Sequence, residues 1–217
     1  MPDRKSKAET GTIVVSGTGR VAVEPDTADL RLGVSVSRPT VAAARADAGR
    51  AMDEILTAVN GAGVARRDVR TSLLSVQPRY DYRDGRAPTL TGYELANVVE
   101  VTVRDLAKLG EVVDRTLAAG ATSMDSLSFR VADPAPAERE ARVLAMAAAR
   151  ARADVLAEAA GLANVSVSDI VEGVPTRPPM PFAKAERMAL AAADVATPVE
   201  AGSLEVTVTV TVTFRAR

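Results

Sequence analysis

The 217-residue sequence contains no cysteine, no histidine and no tryptophan. These absences exclude a disulfide, a thiolate nucleophile, an imidazole base and a zinc site of cysteine and histidine. A catalytic triad that depends on histidine is excluded for the same reason. Carboxylates, hydroxyls, arginine and four lysines remain for chemistry. We therefore expect a protein that is not an enzyme and that holds no cofactor and no metal.

Net charge and long apolar runs are also lacking. Lysine and arginine total 27 against 28 acidic residues, whereas nucleic-acid-binding proteins present a strongly basic face, so we expect no nucleic-acid partner. No apolar run approaches the ~18 residues of a transmembrane helix. The polar N-terminus is not followed by the apolar run of a secretory signal. The sequence thus predicts a cytoplasmic protein, with the periplasm or cell envelope as the alternative if the N-terminus is mis-assigned.

Hydrophobic periodicity is what the sequence does have. Apolar and polar residues alternate over 28–36 and, without a break, over 204–214, which predicts two half-buried strands, the second about twice the usual length. Apolar residues at helical spacing between Val41 and Val59 predict a helix that Asn60-Gly61 ends. Further helices are expected after Asp105 and over about 133–162.

Two patterns rich in small residues need interpretation. Ser16-Gly17-Thr18-Gly19 divides the first strand, and because a strand rather than a helix follows, it predicts a bulge or bend and not a phosphate-binding loop. The third helix carries a narrow apolar stripe made mostly of alanine. We predict that this stripe packs on the sheet; its members are Ala137, Ala141, Leu144, Ala148, Ala151, Val155, Ala159 and Leu162.

The order of elements indicates an α+β fold. Strands and helices mix without strict alternation, which favours helices packed on one face of an antiparallel or mixed sheet. We expect a single domain over residues 11–217, two similar β-α-β halves (12–104 and 105–217) and a long C-terminal strand. A polar tail at 1–10 is predicted to be disordered. A Pro/Ala-rich excursion covers 173–202, longer than an ordinary loop.

No residue is predicted to be catalytic, but two groups are candidates for interaction. The three tyrosines, Tyr80, Tyr82 and Tyr93, lie in and after one polar loop; they are either an interface anchor or the packing of that loop on the sheet. The excursion carries apolar side chains in an irregular segment, which indicates either an interaction patch or disorder. Those side chains are Met180, Phe182, Met188 and Leu190.

An ordered set of short motifs resembles the SIMPL-domain family over about residues 11–215. The motifs are Val15–Gly19, Pro25–Ala28, Leu32–Val34, Gly63-Val64, Asp68–Thr71, Gln77-Pro78, Tyr80–Tyr82, Thr91–Tyr93 with Asn97, Val103–Leu106, Lys108–Gly110, Ala118–Ala121, Thr197–Glu200 and the final alternating strand. The resemblance implies an α+β fold and, for some members, large oligomers in the cell envelope or a link to oxidative-stress tolerance. It carries over no catalytic residues.

Together these observations predict a non-catalytic, self-assembling protein with an envelope or oxidative-stress role, and a homo-oligomer. The alternative is a module that binds a small molecule or peptide on the sheet face near Tyr80–Tyr93.

Overall fold

The computed structural model describes residues 11–82, 87–163, 165–173, 180–182 and 197–217. These residues form two compact units, one from the described parts of 1–24, 133–185 and 202–217 (unit 1) and one from those of 25–132 and 186–201 (unit 2). Eight strands and three α-helices occur in the described chain. They are β1 Gly11–Val23, β2 Thr27–Arg38, α1 Val41–Gly61, β3 Val69–Asp81, β4 Thr89–Val103, α2 Leu109–Ala118, β5 Ser123–Arg130, α3 Ala135–Ala159, β6 Ser166–Glu172, β7 Met180–Phe182 and β8 Ser203–Ala216.

The predicted α+β class is confirmed. Each unit consists of one antiparallel sheet with helix packed on one of its faces. The predicted division into halves at residue 104 stays a prediction. The tail at 1–10 and residues 174–179 and 183–196 of the excursion lie outside the described residues.

Unit 1 is built around the long C-terminal strand. In its sheet, β8 lies between β1 and β6, and β7 also pairs with β8. Alternate residues of β8 from Leu204 to Ala216 are buried, while Thr207 and Thr209 on the opposite face are exposed. The alternation read from the sequence therefore correctly identifies the face that packs against α3.

The predicted bulge in β1 is wrong. Residues Gly11–Val23 pair with β8 in one unbroken register. A Cβ built on Gly17 or Gly19 would lie 2.0 Å from the carbonyl oxygen of Ala145 or Ala141, respectively. Glycine is required here because the backbones of β1 and α3 touch, and not because the strand carries a bulge.

The buried stripe of α3 also differs from the prediction. The helix buries every fourth residue, whereas Leu144 and Val155 are exposed at 43% and 66%. A leucine in the contact would hold the helix away from Gly17 and Gly19, so the close approach needs a side chain as small as alanine. The buried set is Ala137, Ala141, Ala145, Ala149, Ala153 and Ala157.

Unit 2 packs larger side chains. Its sheet has the order β3-β4-β2-β5, and α1 lies over β2 and β4. Thr40 caps α1 by accepting a hydrogen bond on Oγ1 from the backbone N–H of Ala43 at 3.2 Å. The predicted stripe of α1 is buried from Ala44 to Val59, on a core that includes Leu30, Leu32 and Val101, whereas Val41 at the start of the helix is 41% exposed.

Candidate interaction surface

The β3–β4 hairpin brings two of the three candidate tyrosines together. Tyr80, near the end of β3, and Tyr82, just after it, have ring centroids 6.3 Å apart and ring planes inclined at 57°. Tyr82 is 74% exposed and Tyr80 is 45% exposed. Tyr93, which is half-buried in β4, pairs across the strands with Pro78 and Arg38. The two outer rings are thus available to a partner, while Tyr93 is part of the sheet.

β3 forms one edge of its sheet and is poorly covered. Leu74 pairs with Asn97, which in turn pairs with the core residue Val34, so Leu74 faces the side of the sheet that carries the helices. Val76 pairs with the buried Leu95 on that same side. Because α1 lies over β2 and β4, Leu74 and Val76 remain 67% and 44% exposed.

A buried polar atom lies beside this uncovered strip. Oδ1 of Asn97 is buried and has no hydrogen-bond partner among the described residues. An unsatisfied buried acceptor costs about 1–3 kcal/mol.

We define the β3 strip as Leu74, Val76, Tyr80 and Tyr82. All four residues lie in or directly after the edge strand β3. All four are more exposed than is usual for large apolar side chains. Sequence analysis found the tyrosines but missed the two aliphatic residues. The available signal was the pair Leu73-Leu74, which breaks the alternation of a one-sided strand.

Two carboxylates of unit 2, Asp29 in β2 and Asp68 in the turn before β3, are ionised and paired with arginine. A hydrogen bond from Arg104 holds the pKa of Asp68 below its ordinary value. Burial raises the pKa of Asp29, but hydrogen bonds from Arg130 at 2.7 Å and Thr102 at 2.6 Å outweigh burial, and the net shift is downward. A general acid at neutral pH needs a raised pKa, so these groups are suited to structure and not to proton transfer.

Neither a metal cluster nor a membrane helix is found in the described parts of the chain. No group of three or more acidic residues there is arranged to hold a metal ion. None of the helices described there has the length and apolar character needed to cross a bilayer.

The remaining candidate residues are placed only in part. Met180 and Phe182 lie in β7, in register with Glu205 and Ser203 of β8. Met188 and Leu190 lie outside the described residues. The interaction role predicted for these four residues therefore stays a prediction.

The fold and surface define a class: a two-sheet α+β protein with paired carboxylates and an uncovered edge strand. The family is then given by comparison. Residues 13–214 match the model of the SIMPL family, described as "Protein of unknown function (DUF541)". This chain belongs to the SIMPL family.

Curated relatives match over different shares of the chain. The 26 kDa periplasmic immunogenic protein of Brucella melitensis is 33% identical over 98% of this chain and 87% of its own length. The uncharacterized protein YggE of Escherichia coli K12 is 36% identical over 62% of this chain and 54% of its own length. YggE of Edwardsiella ictaluri is 29% identical over 69% of this chain.

The predicted cytoplasmic location is wrong. It relied on the absence of a visible secretory signal in the sequence. The relative that matches 98% of this chain is named as a periplasmic protein. The composition of the first residues of this sequence therefore did not predict the cellular compartment.

Proposed function

We propose that this chain is a non-catalytic protein of the bacterial periplasm that self-assembles and contributes to the envelope's tolerance of oxidative stress. The location follows the relative named as periplasmic. The absence of catalysis is supported by the missing histidine and cysteine and by the lowered pKa values of Asp29 and Asp68. A homo-oligomer is proposed as its working form.

The observation that carries the self-assembly proposal is the β3 strip. Large exposed apolar side chains, grouped on one strand, are typical of protein–protein contacts. An edge strand also offers unpaired backbone N–H and C=O groups to a second chain. Burying Leu74 alone would contribute about 1.5–3 kcal/mol, so a single charge at this position is expected to weaken the contact strongly.

Light scattering on the full chain tests the proposal with a matched pair of variants. Leu74→Glu places a charge in the β3 strip, and Val14→Glu places the same charge on β1, where the side chain is 60% exposed. We expect a discrete oligomer for the unmodified chain and for Val14→Glu, and a monomer for Leu74→Glu. A monomer in all three samples refutes self-assembly, and an oligomer in all three refutes the role of β3.

The stress role has its own test. In a strain deleted for the gene, the unmodified chain should restore growth in peroxide, whereas Leu74→Glu should not. Equal restoration by both chains would separate any stress function from assembly through β3.

A second candidate is a peptide-binding module that uses the same hairpin. The tilted Tyr80–Tyr82 pair and the edge position of β3 in the described sheet are features that bind extended peptides by strand addition. Pro78 offers no N–H, so pairing would be concentrated on the part of β3 before it. This candidate is favoured if Tyr82→Ala abolishes capture of extended peptides while the oligomer persists.

A further inference from the structure

Unit 2 contains a cleft that is distinct from the β3 strip. Three segments form it: the loop Ala62–Ala65 after α1, the turn at Arg67-Asp68, and the chain from Thr102 through Lys108 to Val112. Its volume is about 190 Å³. Concave sites with an apolar floor and a few convergent polar groups are the usual form of small-molecule sites.

The floor of the cleft is apolar. It is formed by Ala62, Val64, Val103 and Val112, each at most 7% exposed. These residues belong to the core cluster of unit 2, so the floor is held in place by packing on both sheet and helices. A ligand with a short hydrocarbon portion would be accommodated by this floor.

The rim carries three cations and two carboxylates, which leaves one formal positive charge in excess. Arg104 is held by Asp68, donating from Nη2 at 2.7 Å and from Nε at 3.1 Å to the same oxygen. Lys108 is engaged less closely, because its Nζ lies 3.7 Å from the nearer carboxylate oxygen of Asp105. With respect to the described residues, Lys108 therefore has hydrogen-bonding capacity to spare.

Arg67 is the second loosely held cation. Its Nε lies 4.0 Å from Oδ2 of Asp68, and its side chain is 83% exposed. Asp105, on the other side, already accepts a hydrogen bond at Oδ1 from the backbone N–H of Ala107, as the cap of the turn before α2. Among the described residues, the rim thus has two cations, Lys108 and Arg67, that are only loosely paired. Both of its acids, Asp68 and Asp105, already accept hydrogen bonds from other residues of the fold.

Gly63 keeps the space beside Lys108 open. Its φ of +91° lies in the left-handed region that favours glycine. A Cβ built there would lie 3.3 Å from Nζ of Lys108. Glycine at this position therefore both permits the turn after α1 and leaves room at the ammonium group.

From this geometry we propose that the cleft binds a small monocarboxylate with a short hydrocarbon tail. The carboxylate contacts Lys108 and Arg67, and the tail lies against Val64, the most exposed side chain of the apolar floor. A single excess positive charge matches a monoanion. At roughly 30 Å³ for each water-sized group, the volume holds roughly six non-hydrogen atoms, the size of butyrate. Phosphate fits less well because it has nothing to place on the apolar floor.

Equilibrium dialysis of the full chain against radiolabelled butyrate tests the proposal. We expect saturable binding, weaker binding of acetate, and no competition by butanol or butylammonium at equal concentration. Lys108→Met, which keeps an apolar stem, should weaken binding at least tenfold, and Lys108→Arg should restore it to within a few-fold. The control Arg139→Met removes an exposed positive charge from α3 and should leave binding unchanged.

Three outcomes overturn the proposal. Phosphate that displaces butyrate at equal concentration would mark a general anion site without a role for the floor. Acetate that binds as well as butyrate would do the same. Unchanged binding by Lys108→Met, with thermal unfolding matching that of the unmodified chain, would place any butyrate elsewhere. None of these outcomes depends on the oligomeric state.

Discussion

Units 1 and 2 share a plan, an antiparallel sheet with helix on one face, but they are held together differently. Unit 1 brings backbones into contact, with alanines of α3 lying on Gly17 and Gly19 of β1. Unit 2 interlocks larger side chains, among them Leu32 and Ile55. The comparison shows two ways to hold a helix on a sheet. One is close contact between the two backbones, and the other is burial of large apolar side chains between them.

The largest loss of stability is expected at the close contact between β1 and α3 in unit 1, where no space is left for a side chain. Valine suits a strand by propensity, yet Gly17→Val would push carbon atoms into the backbone at Ala145 and Ala149, 2.0 and 2.6 Å from the first of them. We expect a loss of more than about 4 kcal/mol in the free energy of unfolding, measured by urea denaturation. Hydrogen exchange should show the loss in unit 1.

The control for this variant introduces the same side chain one position away. Ser16 points to the exposed face of β1, so Ser16→Val should change stability by no more than about 0.5 kcal/mol. A Gly17→Val protein as stable as Ser16→Val would refute the close contact of β1 with α3.

Unit 2 should respond most to truncation. Leu32→Ala removes a fully buried side chain and should cost about 2–5 kcal/mol. In unit 1, the corresponding truncation on the helix row, Ala145→Gly, should cost only about 1 kcal/mol through helix propensity. Urea denaturation of both variants tests the contrast, with Arg31→Ala as the exposed neighbour of Leu32. Equal losses at Leu32 and Ala145 would contradict it.

Acid should weaken unit 2 before unit 1. Hydrogen bonds lower the pKa of four carboxyl groups in unit 2, namely Asp26, Asp29, Asp47 and Asp68. Because the folded-state pKa lies below the unfolded value of 3.8, their contribution is present at neutral pH and is lost as the pH falls through the folded-state value.

Hydrogen exchange at stepped pH, corrected for the intrinsic exchange rate, measures this effect. Protection should fall in unit 2 first as the pH drops below about 4. Asp68→Asn should lower stability at neutral pH and flatten the fall on acidification, since one of the titrating groups is gone. Earlier loss of protection in unit 1 would count against this account.

The smallest expected effect is a gain in stability, at Gly49. Gly49 lies at an exposed position inside α1, and a Cβ there would meet nothing within 4 Å. Gly49→Ala should therefore raise the free energy of unfolding by about 0.5–1 kcal/mol, seen as a higher urea midpoint. The same glycine-to-alanine change at Gly19 should be strongly destabilising, so the pair measures tertiary contact directly. A loss at Gly49 would be inconsistent with the open space beside it.

The buried faces of the elements could be predicted from the sequence where they carry large apolar side chains, but not where they carry alanine. The alternation in β8, and the stripe of α1 from Ala44 to Val59, were read correctly because large apolar side chains with a favourable transfer free energy mark the buried face of each element. The stripe of α3 was misread because alanines lie all around that helix. A periodicity argument then favoured the larger Leu144 and Val155, which the close approach excludes.

The candidate site was predicted less completely. The tyrosines were visible as rare residues in one loop. The exposure of Leu74 depends on where α1 lies across the sheet, which no local pattern specifies. The cleft at Lys108 joins segments about 45 residues apart in the chain, so no local sequence pattern predicted it.

The sequence by itself determined the α+β class, the absence of cysteine and histidine chemistry, and the two strands and one helix whose faces differ most in hydrophobicity. The tertiary structure alone decided which alanines of α3 are buried, why Gly17 and Gly19 are glycine, and where Leu74 and Lys108 are left available. The physical reason is that large apolar groups must be buried on one face of a strand or helix, and this requirement appears in the sequence as a regular spacing of apolar residues. Distances between backbones, and the spaces left between elements, arise only when the elements pack.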